Sequence, residues 1–169
     1  SPGEGKSTTV SNLGIVMAQA GKRVVVIESD LRRPVQHKIL SVGNNRGLTT
    51  ALLDSETPVN FHLQNTKIRG LRVLTSGPIP PNPAEILSSQ RMGQLIEELY
   101  EEADIIVFDT PPVLTVTDAA VLAPKVDGAL FVVHVGKTRR DTLAQAVERI
   151  KKTNAHPLGV VLNRIKPSH

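Results

Sequence analysis

Residues 1–8 of the chain read SPGEGKST. This stretch matches most of G-x-x-x-x-G-K-[ST], the motif of a phosphate-binding loop, with Gly5, Lys6 and Ser7 at its last three positions. Gly3 and Gly5 allow the backbone to turn its N–H groups onto phosphate oxygens at the start of a helix. Lys6 is then predicted to reach the β- and γ-phosphates, and Ser7 to give its hydroxyl to Mg²⁺. The alternative is a glycine-rich turn that only caps a helix, and the acidic strand ends described below favour phosphate binding.

Beyond this loop, short β-branched runs alternate with amphipathic segments. Residues 7–20 carry apolar side chains at helical spacing, and Gly21 is predicted to end that helix. Strands are predicted at RVVVIESD (23–30), LRVLTSG (71–77), ADIIVFDTPP (103–112), GALFVVHV (128–135) and PLGVVLNRI (157–165). Further helical stripes are Met92, Leu95, Ile96 and Leu99, then Leu143, Val147 and Ile150. This alternation predicts an α/β fold with a mostly parallel sheet and helices on both faces. Together with the loop motif, the pattern is similar to a doubly wound sheet of the P-loop NTPase fold.

Composition excludes several kinds of site and partner. The 169 residues suit a single domain, which we expect to span the whole chain, 1–169. There is no cysteine, which excludes disulfides and thiolate metal sites, and the five histidines do not pair at a metal-binding spacing. No apolar run approaches the roughly 20 residues that a membrane span needs. The net charge of +4 permits a polyanionic partner, but three Phe, one Tyr and no Trp leave few rings to stack on bases, so no nucleic acid partner is expected.

Two of the predicted strands end in acidic residues. Glu28 and Asp30 fall on one side of an extended segment, because side chains alternate along a strand. Two carboxylates there would hold Mg²⁺ through water and accept a proton from an attacking hydroxyl. The run IIVFD carries Asp109 to a carboxyl end of the sheet, the edge at which open α/β sheets bind ligands. Asp109 therefore fits the pattern of a Walker B acid.

Five segments spread along nearly the whole chain carry a family resemblance. They are SPGEGKST (1–8), IESDLRRP (27–34), PPNPAEILSS (80–89), DTPPVLTVTDA (109–119) and VVLNR (160–164). In this order they resemble the cytoplasmic kinase domain of bacterial tyrosine kinases, the family attached to polysaccharide co-polymerases. That family belongs with the deviant Walker A ATPases, whose partition and septum-positioning members carry a signature lysine two residues before the first glycine visible here. Ser1 takes that position, which argues against a partition-type switch.

The resemblance implies a role for each matching residue. The residues implied to bind nucleotide are Pro2, Gly3, Glu4, Gly5, Lys6, Ser7, Thr8, Asn163 and Arg164, with Asn163 at the adenine edge. The implied Mg²⁺ ligands are Ser7, Asp30 and Asp109, and the implied catalytic residues are Lys6, Glu28, Asp30 and Arg32. Glu28, Asp30 and Arg32 fall on the family's D-x-D-x-R motif, whose first acid acts as base toward the tyrosine hydroxyl. Glu28 keeps the charge of that acid on a longer side chain, which changes its reach.

The resemblance also implies an activity, which is ATP-dependent protein-tyrosine autophosphorylation controlling capsular or exopolysaccharide synthesis and export. ATP or ADP and Mg²⁺ are the implied cofactors. The implied partners are a transmembrane polysaccharide co-polymerase adaptor, or a fused membrane domain, and further copies of the chain. The expected location is the cytoplasm, at the inner face of the membrane. Two alternatives stay open: a non-kinase ATPase switch of partition type, and an inert fragment without nucleotide affinity.

Two parts of the family pattern are missing from the sequence, namely the central strand that leads into the loop and the tyrosine-rich tail that receives phosphate. We therefore expect this chain to be part of a longer protein. Tyr100 is the single tyrosine, and four glutamates lie within three residues of it. Phosphate there would add about two negative charges beside them. We expect Tyr100 to pack against its helix rather than to accept phosphate.

Overall fold

A computed structural model describes residues 3–167 of the chain. Its helices are α1 (Lys6–Gln19), α2 (Gln36–Ile39), α3 (Leu48–Leu53), α4 (Pro83–Leu87), α5 (Gln90–Glu102), α6 (Asp118–Leu122) and α7 (Arg140–Lys151). Its strands are β1 (Val24–Glu28), β2 (Gln64–Asn65), β3 (Leu71–Leu74), β4 (Ile105–Asp109), β5 (Ala129–His134) and β6 (Pro157–Asn163). Two 3₁₀ turns cover Val59–Phe61 and Ala123–Lys125. The predicted alternation of strands and helices is confirmed, and each predicted strand forms.

The chain groups into two units, of which residues 7–110 form the first. Its sheet has the strand order β2-β3-β1-β4. Strand β1 runs parallel to both β3 and β4, whereas the short strand β2 is antiparallel to β3. Parallel neighbours require crossover connections, and helices lie between these strands in the sequence. This arrangement confirms the predicted α/β class.

Strand β1 is the buried centre of this sheet. All its residues are buried, which is typical of a parallel strand covered on both faces. Val24 and Val26 pack in one cluster with Leu71 of β3 and Ala18 of α1. A Cβ built on Gly14 would lie 2.9 Å from a methyl group of Val26, so this glycine allows α1 to approach the strand closely. Helix α1 therefore meets the sheet through small residues. Of its larger apolar side chains, Val16 is exposed and the others are partly buried.

Helix α5 follows its predicted stripe closely. Met92, Leu95, Ile96 and Leu99 are all buried. The Ser89 hydroxyl accepts a hydrogen bond of 3.2 Å from the Met92 amide, which caps the start of the helix. This helix is the part of the fold in which periodicity alone predicted burial correctly at every position.

Residues 111–169 and 1–6 make up the second unit. Within its described part, β5 and β6 form a parallel pair. Helix α7 buries Ile150, as predicted, together with Ala146. The other two residues of its predicted stripe are only partly buried.

Sequence patterns did not reveal helices α2, α3 and α4. Each spans at most six residues, which is too short to show a helical repeat. Helix α4 begins at Pro83, and proline fits the first turn of a helix. Within residues 3–167, no helix combines the length and apolar character needed to cross a membrane.

Candidate functional site

The predicted phosphate-binding loop has the backbone that its glycines allow. Gly3 and Gly5 have φ angles of 77° and 82°, in the left-handed region that favours glycine. A Cβ on Gly5 would also collide with the side-chain nitrogen of Asn163. Lys6 then begins α1, so the loop leads into a helix N-terminus, where backbone N–H groups are available to anions. Pro2, also predicted to bind nucleotide, lies outside the described residues.

Within the second unit, Glu4 joins this loop to the segment around β5 and β6. Asn163 donates from Nδ2 to the carbonyl oxygen of Glu4 at 2.9 Å, and the Thr138 hydroxyl donates to the Glu4 carboxylate at 2.7 Å. The Lys6 ammonium lies 3.8 Å from a Glu4 oxygen, and its side chain is 23% exposed. Asn163 thus holds the loop through a backbone carbonyl. Its contact with adenine remains a prediction.

Within residues 7–110, Glu28 and Asp109 end two neighbouring strands. They stand opposite each other in the register of β1 and β4, and their exposures are 0% and 1%. Burial, together with the negative charge of Asp109, raises the pKa of Glu28 to about 8. The structure therefore brings together the two acidic strand ends that the sequence indicated.

The Glu28 carboxylate is engaged with backbone amides. Its Oε2 accepts hydrogen bonds of 2.8 Å from the N–H groups of Val35 and Gln36, and its Oε1 accepts one of 3.2 Å from Asp30. These bonds fasten the segment after β1 to the end of the strand. The side chain is enclosed by these contacts. The role of Glu28 as a catalytic base remains a prediction.

Asp30 and Arg32 lie in the segment that Glu28 fastens. Asp30 is partly exposed, and its Oδ1 accepts hydrogen bonds from the amides of Arg32, at 3.2 Å, and Arg33, at 3.0 Å. Arg32 is exposed. Glu28 is buried and Asp30 is partly exposed, so the two carboxylates differ in their access to solvent.

Two further predicted nucleotide-binding residues lie at the surface. Thr8 is exposed, and its carbonyl accepts a hydrogen bond of 3.0 Å from the Ser11 hydroxyl. Arg164 is exposed and has a φ of 58°, in the left-handed region. Their contacts with nucleotide remain predictions.

Gln36 is the residue that sequence reasoning missed. Its buried side-chain amide donates to the Ser7 carbonyl and to Asp109 Oδ2, at 2.9 Å in each case. No motif marks this glutamine, and the helix that it begins is only four residues long. The one available signal was a polar residue inside PVQHKIL (34–40), which is weak on its own.

The chemistry of the predicted ligands in residues 7–110 suits Mg²⁺. The Ser7 carbonyl and Asp109 Oδ2 share one nitrogen donor, so they lie no farther apart than twice 2.9 Å. A serine hydroxyl and carboxylates are oxygen ligands, which Mg²⁺ prefers, and Mg²⁺ usually takes only one or two carboxylates besides phosphates and water. In the described part of the chain no three His, Cys, Asp or Glu side chains cluster as a metal site. A metal held partly by nucleotide phosphates fits this arrangement.

Sequence comparison gives the relatives of this chain. It matches the family described as CobQ/CobB/MinD/ParA nucleotide binding domain over residues 1–169. It is 44% identical to the tyrosine-protein kinase YwqD of Bacillus subtilis, over 99% of this chain and 70% of YwqD. It is 34% identical to the tyrosine-protein kinase Etk of Escherichia coli K12, over 97% of this chain but 22% of Etk. In Etk the similar region is therefore one part of a larger protein.

Solved structures agree with these matches. The kinase domain of Escherichia coli tyrosine kinase ETK aligns with a TM-score of 0.93 at 34% identity, over 99% of this chain and 66% of that domain. The septum site-determining protein MinD of Pyrococcus horikoshii, complexed with Mg-ADP, aligns with a TM-score of 0.77 at 20% identity, over 97% of this chain and 67% of MinD. The second likeness shows a shared fold alone.

Proposed function

This chain belongs to the CobQ/CobB/MinD/ParA nucleotide-binding domain family, among its bacterial tyrosine-protein kinases, and we propose that it transfers the γ-phosphate of ATP to tyrosine hydroxyls with Mg²⁺ as cofactor. The same proposal gives it a regulatory role in capsular or exopolysaccharide synthesis and export, in line with the motifs that it shares with the kinases attached to polysaccharide co-polymerases.

One observation carries the proposal. Glu28 and Asp109 stand side by side at the ends of parallel strands, and Asp109 shares a hydrogen-bond donor with Ser7 at the end of the phosphate-binding loop. Ser7, Asp30 and Asp109 are the residues that would hold Mg²⁺. The bound ion would neutralise the charge that develops on the transferred phosphoryl group.

The loop supplies the contacts with phosphate. Gly3, Glu4, Gly5 and Thr8 contribute backbone, and Lys6 contributes a positive charge to the phosphates of ATP. Arg32 is proposed to add a second positive charge from the segment after β1. Asn163 and Arg164 are proposed to contact the adenine. The Mg-ADP complex of MinD supports nucleotide and metal only at the level of a shared fold.

The transfer also needs a group that accepts the proton of the tyrosine hydroxyl. Such a base must come within hydrogen-bond distance of the hydroxyl. Glu28 is 0% exposed and bonded to three backbone amides, whereas Asp30 is partly exposed. Glu28 stays the base that the resemblance implies, and its hydrogen bonds to the three amides also fasten the following segment.

The setting of the kinase is part of the proposal. The similarity to 22% of Etk supports a domain that works beside other domains or with a separate membrane adaptor. We propose an adaptor or fused segment that holds this domain at the cytoplasmic face of the membrane, with phosphate passing between copies of the protein.

The test is a phosphate-transfer assay with γ-labelled ATP, Mg²⁺ and a tyrosine-containing peptide. We expect phosphotyrosine from the unsubstituted protein and a loss of about 100-fold or more in Lys6→Met, because one electrostatic contact to the transition state is removed. Lys22→Met is the matched control, since Lys22 is exposed and lies after the end of α1, whereas Lys6 is its first residue. Circular dichroism of both variants checks that the fold is retained.

Two results would contradict the proposal. Hydrolysis of ATP without any phosphotyrosine would favour a partition-type switch. Calorimetric titration with Mg-ADP that shows no binding would favour a chain without nucleotide affinity.

A further inference from the structure

Gln36 connects two residues that are distant in sequence. One hydrogen of its side-chain amide points to the Ser7 carbonyl and the other to Asp109 Oδ2, both with N···O distances of 2.9 Å. Ser7 is 29 positions away in sequence and Asp109 is 73 positions away. An amide nitrogen has two donor hydrogens, so both are used by these acceptors.

The backbone of Gln36 is held as firmly as its side chain. The Gln36 amide donates to Glu28 Oε2 at 2.8 Å, and the neighbouring Val35 amide donates to the same oxygen at the same distance. Gln36 has 0% exposure, and its Oε1 has no hydrogen-bond partner within residues 3–167. Turning the amide over would place Oε1 against two oxygen acceptors, so the observed orientation is the one that the surroundings allow.

We infer that Gln36 is a positioning residue for the Mg²⁺ of the bound nucleotide, acting through Asp109 and Ser7. The inference rests on the proposed function, because it assumes that these two residues hold the metal. Residues that orient metal ligands through a hydrogen bond typically change metal affinity by about 10–100-fold when they are replaced. Gln36 restricts rotation of the Asp109 carboxylate and fixes the first turn of α1 relative to the end of β4.

The test compares nucleotide binding in Gln36→Met with binding in the unsubstituted protein. Methionine has a similar length and no hydrogen-bond donors, so it fills the site without orienting either oxygen. ADP affinity is measured by calorimetry across a series of Mg²⁺ concentrations and again with the metal chelated. In Gln36→Met, we expect the Mg²⁺ concentration that gives half of the maximal increase in ADP affinity to rise by about 10-fold or more. The affinity for ADP without metal should stay unchanged.

Gln64→Met is the matched control. Gln64 donates from Nε2 to the Gly43 carbonyl at 2.8 Å, so the variant also loses an amide hydrogen bond, but one at the edge strand β2. Its Mg²⁺ dependence should equal that of the unsubstituted protein. If Gln36→Met does not fold, Gln36→Asn gives the same comparison, since its amide is one methylene too short to reach both oxygens.

The outcomes separate the inference from the function on which it rests. Mg²⁺ dependence that is the same in the unsubstituted protein and in the Gln36 variant would overturn the positioning role and leave the nucleotide site intact. Equal weakening of ADP affinity with and without Mg²⁺ would also overturn it, because a purely structural role acts on both. No binding of Mg-ADP by the unsubstituted protein would overturn the proposed function itself.

Discussion

Strands β1 and β6 have similar sequences and different surroundings. Each is an apolar run that ends in a polar residue to which the sequence resemblance gives a role, Glu28 in β1 and Asn163 in β6. Ile27, the residue before Glu28, is 0% exposed. Leu162, the residue before Asn163, is 60% exposed.

The difference follows from the neighbours of each strand. Strand β1 lies between β3 and β4 and under α1, whereas β6 pairs only with β5 in the part of the chain that the structure describes. A buried strand end must satisfy every polar group inside the protein, and a surface strand end can use water. Glu28 therefore holds buried backbone together, and Asn163 holds a loop.

The largest expected effect concerns these two polar strand ends. Glu28→Ala leaves the amides of Asp30, Val35 and Gln36 without their acceptor. Each buried donor left unsatisfied costs about 1–3 kcal/mol, so we expect a loss of about 4 kcal/mol in the free energy of unfolding. Asn163→Ala removes one hydrogen bond and should cost about 1 kcal/mol. Urea unfolding measures both, and equal costs would break the comparison.

The next prediction concerns the apolar residue before each strand end. Ile27→Ala removes buried methyl and methylene groups and should lower the free energy of unfolding by about 3 kcal/mol. Leu162→Ala removes a side chain that is mostly in water and should change it by less than about 0.5 kcal/mol. Thermal and urea unfolding of the two variants test this pair. A cost for Leu162→Ala close to that for Ile27→Ala would show that β6 is covered in solution.

Substitutions of two glycines, one packed against β1 and one within β6, extend the comparison with smaller expected effects on stability. In Gly14→Ala the new methyl group would press on Val26, which is fully buried, so we expect a net loss of about 1–2 kcal/mol in stability. In Gly159→Ala, within β6, the new Cβ meets nothing within 4 Å, and we expect a gain of about 0.5 kcal/mol from reduced backbone freedom. Opposite signs in urea unfolding would support the distinction, and a loss in both variants would contradict it.

The smallest expected effect is a pH dependence of stability that arises from His62, within residues 7–110. The His62 side chain is 5% exposed, and burial lowers its pKa below the usual 6.5, with Arg46 acting in the same direction and Asp54 opposing it. The unfolded chain then binds a proton more readily than the folded one, so stability should fall as the pH drops below 6.5. Unfolding of the unsubstituted protein and of His62→Asn between pH 5 and 7.5 checks this. The same slope in both proteins would show that other groups cause it.

Local patterns in the sequence were sufficient to predict many of the helices and strands. The stripe of Met92, Leu95, Ile96 and Leu99 predicted α5 and its buried face, because helical periodicity is a property of neighbouring residues. Short apolar runs predicted strands β1, β3, β4, β5 and β6 for the same reason. The loop glycines and the acidic strand ends likewise predicted which residue types would stand at the candidate site.

The tertiary structure alone decided how deep each element lies and which polar groups meet. The sequence runs of β1 and β6 are alike, and only the strands beside them make one buried and the other exposed. Gln36 forms hydrogen bonds with Ser7 and Asp109, which are 29 and 73 positions away in the sequence. No periodicity in the sequence predicts contacts over such separations. The difference in burial between Glu28 and Asp30 also depends on tertiary packing. Burial and long-range hydrogen bonds depend on packing between distant segments, whereas helix and strand formation depends mainly on residues that are close in sequence.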